Sequence, residues 1–109
     1  MDLRIAAGLK RALIILAIAC GPAMAQDAQK LKLGAEIYER NCSPCHGTRM
    51  MDPQGAADLR KFPHDQHDRF VTTVTKGKNQ MPPWGNLLKP EEVEALWTYV
   101  VNAEALYGH

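Results

Sequence analysis

Cys42-Ser43-Pro44-Cys45-His46 constrains this chain more than any other stretch of its 109 residues. The two cysteines stand three apart and a histidine follows the second directly. A disulfide, a thioredoxin-type redox pair or half of a zinc site would each use such a pair. A zinc site needs two further ligands, and there is no second cysteine pair; His64 and His67 are the histidines that could serve. A thioredoxin-like pair belongs in a βαβ pattern, whereas the flanks here read as helix. Covalent haem attachment fits the spacing for a physical reason. In one turn of helix, residues i, i+3 and i+4 share a face, so Cys42 and Cys45 can each form a thioether with a haem vinyl group while His46 turns its imidazole to the iron.

The first 25 residues carry the marks of a cleavable secretion leader. Arg4, Lys10 and Arg11 are its positive start, Ala12 to Cys20 is an uninterrupted apolar run, and Ala23-Met24-Ala25 is a small-x-small cleavage site. A span across a bilayer needs roughly 20 apolar residues, so the run is too short for a retained anchor. Lipoprotein processing at Cys20, behind Ala17-Ile18-Ala19, is a looser match. Without residues 1–25 a domain over 26–109 remains, with 84 residues, 10 basic and 11 acidic. Near neutrality argues against a nucleic-acid partner, and 46% apolar residues argue against a disordered chain. A domain of this size is marginal on a hydrophobic core alone, and a covalently held apolar cofactor would add to that core.

With the attachment motif near its start and a sulfur ligand far downstream, the segment 30–105 resembles a class I cytochrome c. The downstream segment is Gly77-Lys78-Asn79-Gln80-Met81-Pro82-Pro83-Trp84; the resemblance implies an all-α fold of about three main helices around the haem, with Met81 as the distal iron ligand. The residues argue the same way, because a thioether suits low-spin haem iron. Met50 and Met51 follow His46 by four and five residues. That gives a reach of roughly 14 to 17 Å, nearly taut for a path around the macrocycle to its opposite face. Met81 lies 35 residues on, and Pro82-Pro83 stiffens the backbone beside it. Bis-histidine coordination through His64 or His67 is the competing arrangement, against which both read as residues of a helix start, with Asp65 as N-cap.

Helices are expected on both sides of these motifs. Leu31 to Glu39 precede the haem motif, with Gly34, Tyr38 and Cys42 on one face. Asp65 to Thr75 carries a stripe of Phe70, Val71 and Val74 that stops before Gly77 as C-cap. The last helix opens at Pro90, bears Glu91, Glu92 and Glu94 near its positive end, and buries Val93, Leu96, Trp97 and Val100. The resemblance implies that Gly34 and Tyr38 cross Leu96 and Tyr99. Two positions depart from the family's pattern. Ala57 stands where a proline carbonyl commonly accepts from the proximal histidine, and Lys89 occupies an N-cap position that serine or threonine would fill better.

An iron closed by His46 and Met81 leaves no open position for a substrate, which predicts an electron carrier and not an enzyme. The resemblance implies one covalent haem c and one-electron transfer between exported, periplasmic redox proteins. It resembles in particular the small cytochromes that serve quinoprotein alcohol dehydrogenases, through Asp58-Leu59-Arg60-Lys61-Phe62-Pro63 and Met81-Pro82-Pro83-Trp84-Gly85; that likeness implies a quinoprotein dehydrogenase as donor, a terminal oxidase or another cytochrome as acceptor, and contact of Arg60 with a haem propionate. Arg49, Arg60, Lys61, Lys76, Lys78 and Lys89 form a basic stretch that would orient docking. The alternatives are a haem subunit of a larger oxidoreductase, such as a quinoprotein alcohol dehydrogenase, and a bis-histidine or open-site haem enzyme or sensor.

Overall fold

The structure is a computed structural model and describes residues 25–108. The expected leader, Ala25 apart, lies outside the described residues, as does Cys20. The described chain is helical: α1 over 25–41, α2 over Ser43–His46, α3 over His67–Lys76, α4 over Pro90–Val101 and α5 over Ala103–Tyr107, with 3-10 turns at Thr48–Met50 and Leu59–Lys61. Its β pairing among the described residues is an isolated bridge between Lys78 and Met81. No helix among them is long and apolar enough to cross a membrane.

The expected first helix, Leu31 to Glu39, is longer at its front, because Ala25, Gln26, Asp27, Ala28, Gln29 and Lys30 contain no breaker. Its packing residues are Ile37 and Tyr38, both 0% exposed. Gly34 makes that packing possible. A Cβ there would stand 2.0 Å from the Ala95 carbonyl oxygen and 2.9 Å from Tyr99 Cβ, so α1 and α4 cross backbone to backbone. The crossing runs through Ala95 and Tyr99, with Leu96 buried beside it. The Tyr38 and Tyr99 rings meet at 5.3 Å, and Tyr99 shares a hydroxyl hydrogen bond of 2.8 Å with Tyr107 of α5. Burial pushes both Tyr38 and Tyr99 phenols above their ordinary range, so both stay neutral.

Helix α4 buries Val93, Leu96 and Val100 as its periodicity requires, while Trp97, expected in the same stripe, is only half-buried against it. Lys89 cannot accept a hydrogen bond, yet the end is capped: Glu92 reaches back and its Oε1 accepts from the Lys89 backbone N–H at 2.9 Å. Helix α3 begins two residues later than expected. Asp65 lies in a turn, Gln66 holds the N-cap position without a side-chain cap, and Asp68 is the acid of the first turn. The helix ends as expected at Gly77, whose N–H donates to the Thr73 carbonyl.

Candidate haem-binding site

The motif continues α1 almost without a break. Cys42 N donates to the Tyr38 carbonyl at 2.8 Å, and His46 N then donates to the Cys42 carbonyl at 2.9 Å, which closes a helical turn around Cys42, Cys45 and His46. Ser43 Oγ donates to the Glu39 carbonyl at 2.6 Å and ties the two helices. The cysteines are not paired with each other; Cys42 is half-buried and Cys45 exposed. Burial pushes the Cys42 thiol up to about 11, with Cys45 adding to the effect. The setting favours a neutral sulfur, which a thioether is.

His46 Nδ1 lies 2.9 Å from the Ala57 carbonyl oxygen and donates to it in the tautomer that leaves Nε2 for a metal. The acceptor is therefore a backbone group, and alanine supplies it where a proline is common. Behind His46, the Tyr38 hydroxyl donates to the Gly47 carbonyl at 2.6 Å. The segment after it is tightly coiled: Arg49, Met50 and Asp52 all have positive φ, at 56°, 60° and 52°. Glu39 holds the coil by accepting from Arg49 N at 3.0 Å. Met50 is 0% exposed and lies in the core.

Met81 sits on a tight turn. Lys78 N donates to its carbonyl at 3.1 Å and Met81 N donates back to that of Lys78 at 2.9 Å, with Asn79 at φ 55° between. Trp84 N and Gly85 N then dock on the Val74 and Thr75 carbonyls, at 2.9 and 3.1 Å, at the end of α3. Gly77, at φ 77°, is fixed here twice over: a Cβ would come within 2.6 Å of the Met81 carbonyl oxygen and 2.9 Å of Pro83 N.

His64 lies in an exposed turn, and His67 is engaged on both nitrogens. Its Nε2 is 2.8 and 2.9 Å from the two Glu94 carboxylate oxygens and its Nδ1 is 3.2 Å from Asp68 Oδ1. The ring also stands edge-on to Trp97 at 5.4 Å. Glu94 first and Asp68 second raise the His67 pKa above its ordinary value. His67 is thus a clamp between α3 and α4, a role that local spacing did not announce because its partner is 27 residues away. Arg60 is likewise engaged, forked onto Asp58.

These residues fit a covalent haem. Cys42, Leu59, Phe62, Met81 and Trp84 all pack on the core while staying only half-buried, which leaves apolar surface that a flat apolar macrocycle could cover. No group of three or more His, Cys, Asp or Glu suited to another metal site occurs among the described residues.

Residues 29–100 match the family model described as cytochrome C oxidase, cbb3-type, subunit III. The chain is 36% identical over 85 residues to cytochrome c6 of Nostoc sp., covering 73% of this chain and 74% of that one. It is 37% identical over 90 residues to cytochrome c6 of Rippkaea orientalis, covering 77% and 78%. It is also 29% identical over 82 residues to the quinohemoprotein alcohol dehydrogenase ADH-IIG of Pseudomonas putida, 73% of this chain but 11% of that enzyme. No solved structure matches the chain. The helical scaffold, the attachment motif on its turn and these relatives agree: the chain belongs to the cytochrome c family, as a small class I c-type cytochrome with one covalently bound haem c.

Proposed function

We propose that this cytochrome is an exported one-electron carrier of the periplasm whose haem is attached through Cys42 and Cys45 and whose iron is ligated by His46 and Met81. The observation that carries the reading is the 2.9 Å contact between His46 Nδ1 and the Ala57 carbonyl oxygen, which fixes the ring and its tautomer and leaves Nε2 to the iron. Haem c, when bound, supplies the single-electron couple of its iron. The chain supplies the rest. Cys42 and Cys45 hold the group to the turn, Met81 offers a soft sulfur that favours the reduced state, and Leu59, Phe62 and Trp84 limit the access of water. Bis-histidine ligation through His67 is disfavoured because His67 would first have to leave Glu94 and Asp68.

Export rests on the leader expected at residues 1–25. For partners, Lys61, Lys76 and Lys78 between the two ligands and Lys89 just beyond Met81 are exposed, which suits an acidic face on a redox protein. The electron-transfer rate should then fall as ionic strength rises; a rate indifferent to salt would remove the electrostatic docking. The resemblance to the Pseudomonas putida dehydrogenase supports a second reading, in which a quinoprotein dehydrogenase is the donor or holds this chain as its haem subunit. Co-purification of such an enzyme with the tagged chain would distinguish the subunit from a free carrier, which passes its electron to a terminal oxidase or another cytochrome.

Optical spectra of the exported protein test the ligation. An iron–methionine charge-transfer band in the near infrared of the oxidised form, lost in Met81→Ala, is expected. Covalent haem without that band would overturn the His46/Met81 assignment in favour of bis-histidine or open coordination.

A further inference from the structure

Asp58 and Arg60 form a unit that the carrier reading has not used. Arg60 donates to the Asp58 carboxylate three times, from its backbone N to Oδ1 at 3.1 Å, from Nε to Oδ1 at 3.1 Å and from Nη2 to Oδ2 at 3.2 Å. The two side chains are 22% and 21% exposed, in contrast to the exposed lysines nearby. A forked, half-sheltered pair of this kind is ordered and directional. Arg60 also holds the Asp58 carboxyl below its usual range, so the pair is charged at neutral pH.

Its position matters more than its strength. Asp58 shares a planar peptide with Ala57, and the oxygen of that peptide is the one that accepts from His46 Nδ1. The Asp58 side chain also caps the 3-10 turn Leu59–Lys61. Fixing Asp58 at both its cap and its ion pair therefore fixes the plane in which the Ala57 carbonyl faces the imidazole. Charge is the second consequence. Oxidised iron carries one more positive charge than reduced iron, so an uncompensated carboxylate beside this peptide would favour the oxidised state and an uncompensated guanidinium the reduced state. Asp52 also faces Arg60, Lys61 faces Asp58, and the Tyr38 phenol lies within the field of Asp58.

We propose that Asp58 and Arg60 are positioning residues for the haem iron, whose ion pair sets the Ala57 carbonyl against His46 and balances the charge beside it, and thereby fixes the reduction potential. The proposal rests on His46 as iron ligand. It also gives Arg60 a protein partner of its own, whether or not a haem propionate joins it.

The test is a spectroelectrochemical titration of the haem-loaded protein and of Arg60→Gln, Asp58→Asn and the double variant. Arg60→Gln should favour the oxidised form and Asp58→Asn the reduced form, by up to about tenfold in their ratio at a fixed poise, about 59 mV for one electron. The double variant should return towards the unmodified protein. Asp58→Asn keeps an oxygen to cap the turn, so folding is spared. Shifts in the same direction would mean that the loop has merely loosened, and a shift confined to Arg60→Gln would return Arg60 to a propionate; either result, or no shift, overturns the proposal. Arg60→Lys keeps the charge and loses the fork, so it should shift the potential less than Arg60→Gln while the NMR signal of the His46 Nδ1 proton exchanges faster with water. Unchanged exchange would overturn the positioning role. Failure of the ligation reading shows elsewhere, as an unmodified protein without the methionine band or without a hyperfine-shifted His46 Nδ1 proton.

Discussion

The two sides of the site are built by different means. The His46 side hangs on side chains and buried volume: Tyr38 and Met50, both 0% exposed, stand behind it, and Glu39 and Asp58 hold its loops. The Met81 side hangs largely on backbone hydrogen bonds, a turn closed between Lys78 and Met81 and docked by Trp84 and Gly85 on the last turn of α3, with Met81 and Trp84 only half-buried against the core. The first side shares its residues with the core and cannot be disturbed without cost to the whole fold. The second rests on half-buried residues, so a change there should act locally while the domain stays folded.

Met50→Ala should give the largest loss of stability, about 2–5 kcal/mol for a fully buried methionine, read by denaturant unfolding of the haem-loaded protein. The methionine band should survive in the folded protein; its loss would show that the two sides are coupled. Gly77→Ala should do the reverse. The left-handed φ and the contact with the Met81 carbonyl together cost about 1–3 kcal/mol, concentrated in one loop, so the band should weaken and carbon monoxide should bind the reduced protein. A Gly77→Ala protein with an intact band would break the comparison. Tyr38→Phe removes the hydrogen bond to the Gly47 carbonyl and should cost about 1 kcal/mol without changing the band.

The smallest effect is one of pH. Because the native His67 pKa lies above its ordinary 6.5, the stability that the His67–Glu94 clamp contributes is fully present below about pH 6.5 and is lost as pH rises through the native value. His67→Gln should therefore be the less stable protein at pH 6 and should converge on the unmodified one in alkaline solution, as thermal unfolding across that range will measure. Convergence at every pH would remove the clamp from the account.

Sequence reading reached the parts of this molecule that local chemistry decides. The helical turn at Cys42–His46, the stop at Gly77, the buried stripe of α4 and the close crossing at Gly34 each follow from spacing or residue size within a few positions, or from the family's pattern. It missed where the partner lies far along the chain or where several weak starts compete. Asp65 looked like the cap of α3, but the helix begins at His67, which is anchored by Glu94 from another helix. Lys89 is a poor cap by its own side chain, and the group that compensates is the Glu92 carboxylate three residues on. Spacing alone does not tell the forked Asp58–Arg60 pair from two solvated charges, so this partner of Arg60 is visible only in the structure.

The Ala57 carbonyl has a consequence for what substitution can do to this chain. The group that steadies the His46 imidazole belongs to the main chain, so no exchange of the side chain at 57 deletes it; a substitution there alters only how firmly the oxygen is aimed. The contact is therefore vulnerable through the neighbours that aim the oxygen more than through the residue that carries it.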